Sequence, residues 1–256
     1  MLIKDTDREW EKFGTQDPYF GVLADEKFRT RRLTDAGREE FFQSGRNHIQ
    51  EVLKKVKEHV DPVFTVRRAL DFGCGVGRLV IPLSEVSEEV VGADVSPAML
   101  AEAGRNCRSR SITNVELRRT DDDLSALPDD FNFIHSFIVF QHIPVKRGER
   151  IFASLLSRLA DGGVGVVHFP YAKMPDVNWF RALIALAKRY VPLARNFIHL
   201  IRGRSFFTPY MQMNHYDLNR LFFIMQAHNV HRVVTEYIVD GRFLGVILYF
   251  QKGNTA

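Results

Sequence analysis

The chain reads as an α/β protein built on a doubly wound, mostly parallel sheet that ends in an antiparallel hairpin. Three observations carry this. Apolar β-type runs alternate with amphipathic helical stretches from residue 68 to residue 169, the pattern of parallel strands joined by right-handed helical crossovers. The first run enters a turn containing Gly73, Gly75 and Gly77, and Asp94 closes the second run about one β-α-β unit later. Near the C-terminus two further β-type runs flank Asp240-Gly-Arg, a hairpin signal.

Element by element, residues 1 to about 37 mix charges with Trp10, Phe13, Tyr19, Phe20 and Phe28. They form either a cap over the mouth of a pocket or an arm on the sheet edge. From Arg38 to Val60 the residues Ile49, Val52, Leu53, Val56 and Val60 keep helical spacing, so this helix packs on the sheet. Strands are expected at 68–72, 90–94, 114–119, 131–137 and 164–169. Helices are expected near 77–86, 97–108 and 147–160, the second capped by Ser96 with Pro97 at its first position. A helix near 216–229 precedes the hairpin strands 231–239 and 244–251. Residues 1–64 thus form an N-terminal cap and leading helix, and 65–256 the main domain.

The glycine turn and the acidic strand end have a shared chemistry. Glycines let the backbone turn sharply and let a ligand lie against it, while amides at the following helix start point outward as donors. Asp94 can accept hydrogen bonds from two vicinal ribose hydroxyls. Together they make a nucleoside pocket at the carboxyl end of a parallel sheet. The pattern from Asp71 is D-x-G-x-G-x-G, with Arg78 where a dinucleotide fingerprint needs glycine, and no Gly-Lys-Ser/Thr follows to make a phosphate loop.

Five motifs in order between 68 and 169 resemble the class I S-adenosylmethionine (SAM) methyltransferases. They are Asp71 to Gly77; Asp94-Val-Ser-Pro-Ala-Met-Leu100; Asn114 to Asp122; Phe131 to Pro144; and Leu159-Ala-Asp-Gly-Gly163 running into the next strand. The resemblance implies a seven-stranded sheet and SAM as cofactor. It implies that Asp94 holds the ribose and the turn of Asp71, Gly73, Cys74, Gly75 and Gly77 the methionine end. Val95 and Met99 then flank the adenine, Asp121 or Asp122 meets its edge, and Phe137 borders the sulfonium. Relatives often contact the methionine moiety near Gly45 and Arg46; a solvated arginine is the other reading of Arg46. Many relatives carry Asp where this chain has Asn132. The motifs of enzymes that methylate exocyclic base amines or protein arginines are missing, as is the Glu-His pair of metal-dependent relatives, so no divalent metal is expected.

Composition bounds the setting. Hydrophobic residues make up 45% and charged residues 26%, as in a soluble globular domain. No apolar signal core and no bilayer-length run is present, so a cytoplasmic location is expected. The two cysteines, Cys74 and Cys107, have no metal-ligand spacing. The net charge of +4 is local: between Asp176 and Asp217 there are six basic residues and no acidic one. This stretch lies in a helical insert, 170–214, after the fifth strand. Its apolar and basic pattern over 177–204 suits peripheral contact with an anionic membrane or an acidic substrate, or a lid whose arginines stay in water. Nucleic acid is a weaker reading, because the rest of the chain has no basic excess.

For transfer to a hydroxyl, something must take a proton. His142, after the fourth strand, is the first choice as base, with Gln141 orienting the acceptor; a histidine bonded to a backbone carbonyl is the alternative. His135 is assigned to helix packing. His168, Tyr171 and Tyr210 are candidates for the acceptor pocket. The expected function is methyl transfer to a small-molecule, glycan or lipid-linked hydroxyl, with a nucleic-acid methyltransferase or a SAM-binding protein without transfer activity as the alternatives.

Overall fold

The computed structural model describes residues 6–175 and 211–254. Tyr210 and the basic stretch 177–204 lie outside the described residues.

Seven strands form one sheet in the order β3-β2-β1-β4-β5-β7-β6. β1 (Arg68–Phe72) runs parallel to β2 (Glu89–Asp94) and β4 (Phe131–Ser136), and β3 (Val115–Arg119) and β5 (Leu159–Lys173) extend the parallel set outward. The hairpin β6 (Val233–Asp240) and β7 (Phe243–Gln251) completes the sheet antiparallel, with β7 against β5. The order reverses beside β1, where open α/β sheets place ligands.

Alternation along each strand sorts side chains into two cores. Ala69, Val90, Phe133, Val164 and Val166 face the side packed by α3 (Asp35–His59), α4 (Val80–Ser84) and α5 (Pro97–Ser109). Leu70, Val91, Ile134, Val167 and Phe169 face α6 (Val145–Arg158) and α7 (Leu218–Ala227). Burial of both faces is why these strands read as continuous apolar runs.

Two elements differ from expectation for local reasons. The helix expected at 77–86 shrinks to Val80–Ser84, because Gly77 has a φ of 86° and its N–H donates to Cys74 O, so the turn consumes the first residues. The fifth strand grows to Leu159–Lys173, because β7 pairs with it from Val164↔Gln251 to Lys173↔Phe243. Asn132 has its own explanation. Its Oδ1 accepts from the N–H groups of Arg67 and Arg68 at 2.9 Å each, and its Nδ2 donates to Thr65 O at 2.8 Å. An aspartate could not supply that last donor.

Residues 211–216 return under the sheet's carboxyl end. Tyr216 is buried, its hydroxyl donating to Phe140 O at 3.0 Å and Ile143 O at 2.9 Å. Gly148 in α6 leaves the space for that ring: a Cβ there would stand 2.0 Å from Tyr216 Oη. Gly148→Ala should therefore displace Tyr216. Even after the gain in helix propensity, stability should fall by about 2 kcal/mol in a denaturant titration.

Candidate active site

The carboxyl ends of β1, β2 and β4 open into a common cavity. Gly73, Gly75, Asp94, Val95, Met99, Asp121 and Phe137 line it, and so does His142 from the loop after β4.

Asp94 organises one end. Its Oδ2 accepts the N–H of Gly75 and its Oδ1 that of Ser96, both at 2.9 Å. Burial pushes its carboxyl up to about 6, against the opposing effect of these donors. Each oxygen keeps a further lone pair for a ligand. The glycine turn beside it is a close-approach surface: Gly73 has a φ of 77°, and a Cβ there would stand 2.4 Å from Val139 Cγ2. Gly75, at φ 52°, is covered by Val22, whose Cγ2 lies 2.5 Å from the position of an added Cβ.

Other expected residues stand one layer away. Asp71 is buried and meets His135, with Oδ1 and Nδ1 3.1 Å apart. Cys74 is buried beneath the turn and free, and Gly77 packs toward Ala103. Asp122 is held by Arg147, whose Nε lies 2.6 Å from its Oδ1. Arg46 pairs with Glu85 across 2.6 Å, and Gly45 lies against the Arg78 carbonyl.

The loop after β4 is strained. Ile138 sits at φ 63°, a region that disfavours β-branched residues, and it sends Phe137 and Val139 to the cavity. His142 follows, buried, with its Nδ1 2.7 Å from Gln212 O. A carbonyl only accepts, so Nδ1 carries the proton and Nε2 accepts from the Gln141 amide at 3.1 Å. Burial lowers the His142 pKa to about 4, so the ring is neutral near pH 7. Gln141 is buried behind the cavity wall, its carbonyl accepting from Asn214 N at 2.7 Å. Neither His168 nor Tyr171 lines the cavity. His168 is buried beside Phe137, and Tyr171 packs on Tyr237.

The N-terminal helices cover the mouth. From α1 (Thr6–Gln16) come Thr6, Asp7 and Trp10, and from α2 (Pro18–Val22) Gly21 and Val22. Several polar links hold them. Asp7 meets Arg147 through two oxygens at 2.7 and 2.9 Å. Glu11 Oε2 accepts from Ser96 Oγ at 2.6 Å, and Tyr19 Oη bonds Glu102 at 2.7 Å and Asn106 at 3.0 Å. Trp10 lies on the His142 ring, 4.9 Å between centroids. Sequence reasoning placed Trp10 in a cap over the mouth but missed Val22, Thr120 and Arg147 as lining residues. Only the aromatic content of the first 37 residues hinted at a cap, since an arginine's partner is set by the fold.

Residues 69–163 match the family described as "Methyltransferase domain". Among curated proteins, the 23S rRNA (uracil(1939)-C(5))-methyltransferase RlmD of Burkholderia pseudomallei is 28% identical over 98 residues, 38% of this chain and 21% of that protein. The ubiquinone biosynthesis O-methyltransferase of Cereibacter sphaeroides is 32% identical over 76 residues, 30% of this chain and 31% of that protein. The matched region thus spans between a fifth and a third of these relatives. Magnesium protoporphyrin IX methyltransferase (ChlM) from Synechocystis PCC 6803, solved with bound SAM, shares the fold with a TM-score of 0.59 and 14% identity, covering 99% of this chain and 100% of that one. With its glycine turn, acidic strand end and sheet order, the segment 69–163 matches the methyltransferase domain model, and the chain shares the fold of the class I SAM-dependent methyltransferases.

Proposed function

We propose that this chain binds SAM and transfers its methyl group to a hydroxyl of a small-molecule acceptor. The observation that carries the reading is the Asp94 carboxylate beside the glycine turn, opening into the same cavity as Phe137 and His142. Asp94 accepts the two ribose hydroxyls, Val95 and Met99 flank the adenine, and Asp121, which lines the cavity where Asp122 does not, meets its edge. Backbone at Gly73 and Gly75 takes the methionine end, with Asp71, Cys74 and Gly77 shaping the turn from behind. Phe137 borders the sulfonium. Bound SAM supplies a methyl group that is displaced in line from sulfur, so the protein's work is to hold the acceptor oxygen about 3 Å away and exclude water.

His142 and Gln141 hold the acceptor loop in place, and His168 backs Phe137. Residues 1–64 act as the cap and leading helix, 65–256 as the transfer domain. Val22 over Gly75 and Trp10 over His142 keep water out, so the cap must open for cofactor exchange. Support for a hydroxyl acceptor comes from the likeness to an O-methyltransferase.

Calorimetric titration with SAM and its demethylated product tests the reading. Asp94→Ala should weaken binding by about 3 kcal/mol, roughly 150-fold, the worth of two hydrogen bonds to a charged acceptor. A folded wild-type protein that binds neither compound would falsify the proposal. Because the Asp94 carboxyl titrates near 6 and accepts only when ionised, affinity should be full above pH 7. It should fall about tenfold per unit below pH 6 in the same experiment. Arg147→Met should free the cap at a cost of about 1 kcal/mol, seen as roughly fivefold faster amide hydrogen exchange over residues 6–16 with the core unaffected.

A further inference from the structure

The two edges of the sheet are built differently. β3, at one edge, is five residues long and carries Glu116, Arg118 and Arg119, charges of the kind that discourage a further strand from pairing there. β6, at the other, runs for eight residues in unbroken register with β7 and contains no proline, lysine or bulge. Its Tyr237 and Val239 side chains are 68% and 65% exposed, and among the described residues no strand pairs with its outer side. A long, flat edge with apolar side chains is a template for another strand.

Backbone direction along β6 follows from its hairpin. The two-residue turn Gly241-Arg242 closes on Asp240 opposite Phe243, so Asp240 and every second residue before it exchange hydrogen bonds with β7. Val233, Thr235, Tyr237 and Val239 therefore turn their N–H and C=O groups outward. A second β6 running antiparallel about a twofold axis can pair these residues only with one another. Centred on Glu236, that pairing sets Val233 opposite Val239, Thr235 opposite Tyr237, and Arg232 opposite Asp240. Arg232 and Asp240 are exposed, opposite in charge and without an ion-pair partner among the described residues. Centring on Tyr237 would set Arg232 against Arg242, and centring on Thr235 would leave both charges unmatched. Glu236 itself stands on the axis, already neutralised by Lys55 Nζ at 2.6 Å and bonded by Tyr249 Oη at 2.9 Å.

We infer that this chain forms a twofold dimer by antiparallel pairing of β6 with β6 of a second copy, in the register centred on Glu236. The charge pattern is self-complementary, since Arg232 of each copy meets Asp240 of the other, and this selects a copy of the same chain over a foreign strand. Every outward N–H and C=O of Val233, Thr235, Tyr237 and Val239 finds a partner. The apolar side chains that stand in water in one chain then pack in cross-strand pairs. No β6 residue lines the cavity, so both sites stay open and the dimer is independent of the reaction they perform.

Sedimentation velocity of the full chain, from micromolar to tenths of millimolar, gives the first test. The wild type should convert to a species of twice the chain mass. A wild type that stays monomeric throughout overturns the inference and leaves the edge to a foreign strand. Arg232→Asp should raise the dissociation constant about tenfold, because two attractive pairs become two repulsive ones, and adding Asp240→Arg should restore it. A constant unchanged in the single variant, or not restored in the double one, overturns the pairing. Amide hydrogen exchange of the wild type reads the same strand directly and does not depend on a variant folding. The N–H groups of Thr235, Tyr237 and Val239 should exchange about tenfold slower in the dimer than in the monomer. Equal rates overturn pairing through β6. Affinity for S-adenosylhomocysteine should be the same in both variants and the wild type. A wild type that dimerises through β6 yet binds no S-adenosylhomocysteine supports the dimer and overturns the methyltransferase reading alone.

Discussion

Two backbone amides on one carboxylate hold the working end of this protein together. Asp94 ties the glycine turn after β1 to the start of α5 through Gly75 N and Ser96 N. Parallel pairing from Arg68↔Glu89 to Phe72↔Ala93 brings these points within reach. Gly73 and Cys74 add their own N–H bonds to Ala93 O, so the turn is fastened to β2 rather than to its own helix. Glu11 then bonds Ser96, and through it the cap inherits its position from the same strand end. The cavity floor, its acidic group and part of its roof share one anchor.

The cap and the buried Asp71–His135–His48 row use polar groups in opposite ways. Arg147, Asp7 and Asp122 stand at the rim, partly in water, where an ion pair is worth little and can break and remake. Such links suit a cover that must open. Asp71, His135 and His48 lie under the sheet, where an unpaired polar atom is costly and each bond constrains the next. Phe137 separates the two regions, with the cavity on one side and imidazole rings against it. Ile138 in its strained conformation sets where that ring stands.

Legibility in the sequence followed the range of the interactions. Gly73, Gly75, Asp94, Ser96 and Pro97 are read correctly because their constraints are local: a positive φ, a strand end, a helix cap. Burial on both faces makes β1, β2 and β4 visible as apolar runs. Position within the motif could not show that Asp71 faces His135 rather than the cavity, because the partner comes from a strand 64 residues away. Asp121 and Asp122 are neighbours of equal chemistry, and only the fold shows that Asp121 lines the cavity while Asp122 pairs with Arg147. For His142 the sequence left open a base or a ring bonded to a backbone carbonyl, and the partners it has come from Gln141 beside it and from the Gln212 carbonyl, which only the fold brings near.

The amino-acid order alone determined the sheet, its glycine turn, the acidic strand end and the direction of the C-terminal hairpin, since hydrophobic period and turn chemistry act over a few residues. Tertiary structure decided which polar groups face the ligand cavity and which face one another. It placed Trp10 and Val22 over the site, diverted Arg46 to Glu85, and set His48 against His135. These outcomes depend on contacts between distant segments, whose partners follow from packing geometry and not from local sequence pattern.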